Sequence, residues 1–258
     1  MKLSLIIAAF SLLLIIPLAS QDSFAQVNSG GFQAGGVNVD GSWYVGEGLK
    51  VGDYFSFNVC HVDYLDCSNF DMAMWVEDEV RVGSEDKFRI QVLVYDGSKI
   101  IKGVMDVGQV APEPTGGTEE ISSYRSAYKS SIAWLSAFAT KEIDDDGVYL
   151  TGKGPKEFRA ASWGKIGNIG GQQILPTAEQ TISVGAGQFD SILLTWKTGG
   201  QQSKVWIVDD FPFPIQAKTF MHVSQGIPPV EYEFELLDYK ENVSSNPFVN
   251  VETTAAKQ

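Results

Sequence analysis

The chain has 258 residues and is strongly acidic, with 32 Asp and Glu residues against 19 Lys and Arg and a formal net charge of −13 at pH 7. Nucleic acids and anionic lipid surfaces are bound through basic clusters, so this charge excludes them as expected partners. The length fits one large domain or two small ones, and we expect one.

The N-terminus has the parts of a secretory signal peptide. Lys2 supplies a positive charge, an apolar run extends from Leu3 to Leu18, and Ser23-Phe24-Ala25 has the small-x-small pattern that signal peptidase reads. The run is shorter than the about 20 apolar residues of a transmembrane helix. We therefore predict that residues 1–25 are a signal peptide. The mature chain, without a transmembrane span, is then secreted or lies in the cell envelope. An uncleaved N-terminal anchor is the alternative.

Residues 26–52 are rich in Gly, Asn and Ser and have no sustained apolar period. Such composition predicts a flexible lead-in, here with one short strand at Ser42 to Val45. β patterns prevail in residues 53–240, where we predict a single β-rich α+β domain. Residues 241–258 are predicted to be a polar tail.

Cys60 and Cys67 are the two cysteines of the chain. In an exported protein, an even number of cysteines at short separation predicts a disulfide across a tight loop. The alternative is a metal site made of Cys60, His61, Asp63 and Cys67, because thiolate and imidazole ligands suit copper or zinc. Since the spacing matches no recurrent metal motif, the disulfide is the main prediction and no cofactor is expected.

The first half of the domain is predicted to be an antiparallel meander. Asp96-Gly97 is a hairpin-turn signal between two of its strands. The strands are predicted at Tyr54 to Val59, Met72 to Val82, Phe88 to Tyr95 and Lys99 to Val107.

One long helix is predicted from about Glu119 to Ala139, with Thr118 as its N-cap. Apolar residues recur there at three- and four-residue steps and form one broad stripe. The members of the stripe are Ile121, Tyr124, Tyr128, Ile132, Leu135 and Phe138.

The last third has the clearest β pattern. In its final strand Val230, Tyr232, Phe234 and Leu236 alternate with glutamates, which predicts one buried and one wet face. We therefore predict an α+β fold in which a curved, mainly antiparallel, half-barrel-like sheet wraps around the one long amphipathic helix. The strands are predicted at Ala178 to Val184, Phe189 to Lys197, Ser203 to Val208, Ile215 to Val223 and Val230 to Tyr239.

One stretch of this region resembles a known class. Its segments are Val184-Gly185-Ala186-Gly187-Gln188-Phe189-Asp190, Thr195-Trp196-Lys197, Lys204-Val205-Trp206-Ile207-Val208 and Pro212-Phe213-Pro214-Ile215. Their order resembles a late hairpin in exported lipoprotein-carrier-like (LolA-like) β-half-barrel proteins. The resemblance implies an incomplete barrel that closes over a helix and can hold acyl chains.

The mature chain as a whole also resembles uncharacterised exported proteins of ammonia-oxidising archaea. The segments that carry this resemblance are Cys60-His61-Val62-Asp63, Lys129-Ser130-Ser131-Ile132-Ala133-Trp134-Leu135 and Glu233-Phe234-Glu235-Leu236-Leu237-Asp238-Tyr239. It implies no activity and no catalytic or binding residue.

The sequence does not favour an enzyme. Its only histidines are His61 and His222, and no nucleophile elbow, zinc-protease helix motif or Walker loop is present. We predict a structural or interaction module of the cell envelope, with another envelope component as its partner and its aromatic residues as core.

Two further functions stay open. The chain could be a carrier or sensor that holds an apolar, lipid-like small molecule between sheet and helix. The candidate wall residues of that cavity are Tyr124, Tyr128, Trp134, Trp196 and Trp206. The other function is metal binding by the Cys60–Cys67 segment.

Overall fold

The computed structural model describes residues 37–141, 154–166 and 172–254. The predicted signal peptide, the first part of the predicted lead-in and the last four residues of the predicted tail lie outside the described residues. Each predicted strand is present in the described parts. The strands are β1 (Ser42–Trp43), β2 (Tyr54–His61), β3 (Phe70–Val82), β4 (Glu85–Asp96), β5 (Lys99–Gly108), β6 (Pro114–Gly117), β7 (Lys156–Glu157), β8 (Gly164–Ile166), β9 (Gln172–Val184), β10 (Gly187–Thr198), β11 (Gln201–Ile207), β12 (Gln216–Phe220) and β13 (Val230–Lys240).

Eleven of these strands form one antiparallel sheet in the order β6-β5-β4-β3-β2-β13-β12-β11-β10-β9-β8. The order consists of two meanders that run outward from a central pair, β2 and β13. Phe234 on β13 lies opposite Val59 on β2 and opposite Ala217 on β12. The predicted turn at Asp96-Gly97 is confirmed, because Asp96 pairs with Lys99 across a two-residue loop.

The prediction of a sheet wrapped around one long helix is wrong. The only α-helix in the described part of the chain is α1 (Ser122–Ser131), preceded by a 3₁₀ turn at Glu119–Ile121 and followed by another at Trp134–Ala137. Thr118 does not cap it with its side chain, since its Oγ1 accepts a hydrogen bond from the Val104 amide at 3.1 Å. The fold is mainly β.

The residues of α1 explain its short length. Its sequence contains five serines, which have weaker helix propensity than alanine or leucine. The hydroxyls of Ser126 and Ser130 bond to carbonyls four residues earlier, at 3.0 and 2.9 Å, a contact that slightly destabilises helices. The amides of Ile132 and Ala133 then both bond to the Tyr128 carbonyl, at 3.0 and 3.1 Å, and the regular helical ladder ends there.

The main core lies between α1 and one face of the sheet, here called the inner face. Tyr128 of α1 is fully buried, and its ring packs edge-on against Phe213 at 6.1 Å between centroids. Phe57 and Phe234 meet on adjacent strands of the same face at 5.9 Å. The two stripe residues that lie in α1, Tyr124 and Tyr128, are therefore part of the core.

Two segments outside the sheet also pack on it. Trp43, within the predicted lead-in, is fully buried and donates its indole N–H to the Phe211 carbonyl at 2.7 Å. Phe248, within the predicted tail, is buried on the outer face beside Trp75 and Leu93. The tail also bonds to the sheet where the Thr254 amide donates to the Ile100 carbonyl at 3.0 Å.

Candidate ligand-binding pocket

A pocket of about 420 Å³ opens beside the C-terminal end of α1. Four aromatic residues, Trp134, Trp196, Phe220 and Tyr232, form its walls, and we call it the tryptophan pocket. Its volume is in the range of small-molecule sites, about 300 to 1,000 Å³. Strands β10, β12 and β13 and the 3₁₀ turn after α1 each contribute one of these rings.

The rings of the pocket support one another. Trp134 lies 5.4 Å from Trp196 between centroids, at an interplanar angle of 68°, and 6.3 Å from Tyr232. Tyr232 also packs against His61 and Phe234, whose ring centroids lie 6.1 and 6.0 Å away in nearly parallel planes. These ring contacts help to hold Tyr232 in position.

Three buried polar atoms near this wall have no hydrogen-bond partner among the described residues. They are Trp134 Nε1, Thr219 Oγ1 and the Tyr232 hydroxyl. Thr219 is fully buried and Tyr232 is 2% exposed. Burial and the negative charge of Glu231 raise the pKa of Tyr232 well above its usual value, whereas the nearby side chains of Thr219 and Trp134 lower it. All three polar atoms are inaccessible to solvent, so a molecule in the pocket does not reach them.

A β-bulge brings Glu231 to the pocket. Tyr232 pairs with Thr219 and Val230 pairs with Phe220, which leaves Glu231 as one extra residue on β13. Bulges re-aim side chains in this way. The Glu231 carboxyl lines the pocket together with His222, and burial raises its pKa, as does the negative charge of Asp63.

The five predicted wall residues separate into three groups. Trp134 and Trp196 line the tryptophan pocket. Tyr124 and Tyr128 are buried in the core, where the hydroxyl of Tyr128 donates to the Pro112 carbonyl at 2.8 Å. Trp206 lies on the outer face of the sheet, in a separate groove beside Cys60 and Cys67, and its indole N–H donates to Gln180 Oε1 at 2.9 Å.

Sequence reasoning missed Phe220, His222, Glu231 and Tyr232 as pocket residues. The alternation of β13 indicates that Tyr232 faces inward, but nothing in that pattern distinguishes a core ring from a pocket ring. The bulge at Glu231 depends on which residue of β12 lies opposite. A strand pattern read along a single segment does not contain that information.

The structure joins Cys60 to Cys67 in a disulfide, with Cα atoms 4.6 Å apart. Both sulfur atoms are used in this bond, so neither is a thiolate ligand in the proposed set of Cys60, His61, Asp63 and Cys67. His61 is buried, which lowers its pKa, and its Nδ1 accepts the Asp63 amide at 3.2 Å. The arrangement does not favour the metal alternative.

One cluster of carboxylates joins the segment before β2 to the residues that follow β11. Glu47, Asp209 and Asp210 offer ligand oxygens within 4.8 Å of one another, and no other set of three potential ligands is found in residues 37–141, 154–166 and 172–254. Burial and the charges of Asp210 and Asp209 raise the pKa of Glu47 to about 7. The cluster accordingly favours a proton on Glu47.

No helix among the described residues is long and apolar enough to cross a membrane. No family model matches the chain, and no curated protein matches it. Two solved structures are similar to it: a putative exported protein with YmcC-like fold from Bacteroides fragilis and a putative lipoprotein from Parabacteroides distasonis. The first is 9% identical, with a TM-score of 0.33, and the match covers 78% of this chain and 100% of that one. The second is 9% identical, with a TM-score of 0.32, and the match covers 76% and 99%. Likenesses this weak do not bear on function.

Proposed function

We propose that this chain is an exported, non-enzymatic protein of the cell envelope that binds a small, largely apolar ligand in the tryptophan pocket. The signal-peptide pattern of residues 1–25 supports export. The resemblance of residues 184–214 to lipoprotein-carrier-like proteins supports a carrier or sensor, and an origin in ammonia-oxidising archaea belongs to the same proposal.

The aromatic wall of the pocket carries this proposal. Trp134, Trp196, Phe220 and Tyr232 line a pocket of about 420 Å³, with Glu231 and His222 beside them. A ligand there would bury its apolar body against the rings. Aromatic walls with a few polar groups are typical of ligand sites.

Titration with the uncharged fluorescent probe N-phenyl-1-naphthylamine tests the proposal. We expect saturable binding by the wild type, and a melting temperature that rises with probe concentration because a ligand of the native state stabilises it. The variant Trp196→Ala should bind the probe more weakly. Trp206→Ala is the matched control, since it removes the same ring from the outer face and should bind like the wild type. Equal loss of probe binding in both variants would contradict a ligand site in this pocket, and so would the absence of saturable binding by this probe and by the two smaller probes introduced below.

A structural or interaction module of the envelope is the second candidate. The observation in its favour is that α1 does not border a tunnel, because Tyr124 and Tyr128 are buried in packed core. If no probe binds and purified wild-type protein retains no small molecule in native mass spectrometry, this candidate becomes the better one.

A further inference from the structure

We infer that the ligand of the tryptophan pocket is a small organic ammonium compound. The inference rests on the proposed function, because it names the class of ligand for the same pocket. Two features carry it: the charge at the pocket and the faces of its rings.

The charge comes from the bulge residue. Glu231 is the only Asp or Glu among the residues that line the pocket, and no Lys or Arg lines it with Glu231. Asp63 lies near enough to raise the pKa of Glu231 by its negative charge, so two carboxylates repel each other at this edge. A bound cation would relieve that repulsion, whereas an anionic ligand would increase it. The net charge of −13 also favours the approach of cations over anions.

The aromatic walls suit the same cation. Ammonium groups are attracted to the faces of Trp, Tyr and Phe rings, and most strongly to Trp. Trp134 and Trp196 meet edge to face, so that the notch between them presents rings in two orientations. Alkyl groups on the nitrogen would pack against these rings while its charge interacts with their faces. An uncharged apolar ligand would fill the same space but leave Glu231 without a counter-charge.

A pair of isosteres tests the inference on the full mature chain. Choline and 3,3-dimethyl-1-butanol have the same shape and hydroxyl, but the alcohol has carbon in place of the charged nitrogen. Both are titrated into the wild type and followed by tryptophan fluorescence and by ligand-observed NMR. We expect choline to bind about tenfold more tightly, the ratio that a difference of about 1.4 kcal/mol gives.

Variants separate the charge from the shape of the pocket. Glu231→Gln should abolish the preference for choline while keeping the binding of the alcohol. Glu233→Gln, at the exposed position two residues further along β13, should keep the preference. Melting curves of both variants establish that they are folded.

The other outcomes distinguish a failure of the ammonium inference from a failure of the proposed function. If the alcohol binds as tightly as choline, or if N-phenyl-1-naphthylamine binds and choline at millimolar concentration does not, the ammonium inference is wrong and the proposed function stands. If Glu231→Gln and Glu233→Gln lose the preference equally, the charge does not come from the bulge and the inference is also wrong. If none of the three probes binds, the proposed function itself fails.

Discussion

The hydroxyl groups of Tyr64 and Tyr124 lie 3.0 Å apart and share one acceptor. Tyr64 donates to Asp96 Oδ2 at 2.7 Å, and Tyr124 donates to the same oxygen at 3.0 Å. Tyr64 belongs to the disulfide loop, Tyr124 to α1, and Asp96 to the end of β4. One carboxylate oxygen therefore ties together three parts of the chain that are distant in sequence.

Removing one of these hydroxyls should cost stability in a pH-dependent way. Tyr64→Phe deletes a hydrogen bond to a charged group, worth about 1.5 to 3 kcal/mol, and keeps the ring contact with Phe70. The hydrogen bond from Tyr64 is the first cause of the lowered pKa of Asp96. A lowered folded-state pKa stabilises the protein above the unfolded value of about 3.9, and this contribution is lost as pH falls through the folded-state pKa.

Urea unfolding at pH 7 and near pH 3 measures this effect. The difference between wild type and Tyr64→Phe should be largest at pH 7 and should shrink in acid. Tyr95→Phe, at a residue that is 41% exposed, serves as the control and should stay within about 0.5 kcal/mol of the wild type. A difference between wild type and Tyr64→Phe that is the same at both pH values would show that Asp96 is not the group involved.

The disulfide should make a modest contribution to stability. The loop between Cys60 and Cys67 is short, so closing it removes little freedom from the unfolded chain, and we expect about 2 kcal/mol. The double variant Cys60→Ser with Cys67→Ser should melt at a lower temperature than the oxidised wild type and near that of the reduced wild type. An unchanged melting temperature would argue against a structural role of the bridge.

Tyr128 should behave as a core residue. Its ring is fully buried and its hydroxyl donates to the Pro112 carbonyl. Tyr128→Ala leaves a cavity in dense packing and should cost about 3 to 5 kcal/mol. Tyr128→Phe keeps the ring and should cost only about 1 kcal/mol, the worth of one hydrogen bond. Chemical denaturation of both variants checks this, and a small effect of the alanine variant would indicate empty space beside α1.

The strands could be predicted because each of them carries its own pattern. Along β13, Phe234 is 2% exposed whereas the side chain of Glu233 is 51% exposed, as alternation requires. The same rule places Trp206 outward, between the buried Val205 and Ile207. The prediction that Trp206 lines the cavity rests on its aromatic ring alone and does not consider which face of the sheet it occupies.

The helix and the pocket could not be predicted in the same way. Tyr124 and Leu135 fit one helical period, but the chain leaves the α-helix after Ser131, where two amides share the Tyr128 carbonyl. Trp134 follows the end of the α-helix and packs against Trp196. The serines of α1 weaken the helix, and the period of the apolar residues does not show where it ends.

The two faces of β13 give a direct test of the sheet. Phe234→Ala should cost about 3 to 5 kcal/mol, since it empties a buried position between β2 and β12. Glu233→Ala removes an exposed ion pair with Lys218 and should change stability by about 0.5 kcal/mol or less. Equal effects in urea unfolding would contradict the register of this strand.

Asp53 should make the protein less stable as pH rises. Its carboxyl is 1% exposed and Oδ1 has no hydrogen-bond partner among the described residues. Burial raises its pKa to about 6, despite the Lys50 amide that donates to Oδ2 at 3.1 Å. Because the folded-state pKa exceeds the unfolded value of about 3.9, the folded state favours the protonated acid. That stabilisation is complete below about pH 4 and is lost as pH rises through about 6.

Asp53→Asn should therefore be more stable than the wild type at pH 8, by at most about 3 kcal/mol, and similar to it at pH 4. The neutral amide keeps an oxygen for the Lys50 N–H and removes the buried charge. Asp78→Asn, at an exposed position of β3, is the control and should change little at either pH. Urea unfolding of the three proteins from pH 4 to pH 8 decides the matter. If Asp53→Asn gains no stability at pH 8, the charge of Asp53 does not destabilise the folded protein, and the prediction is wrong.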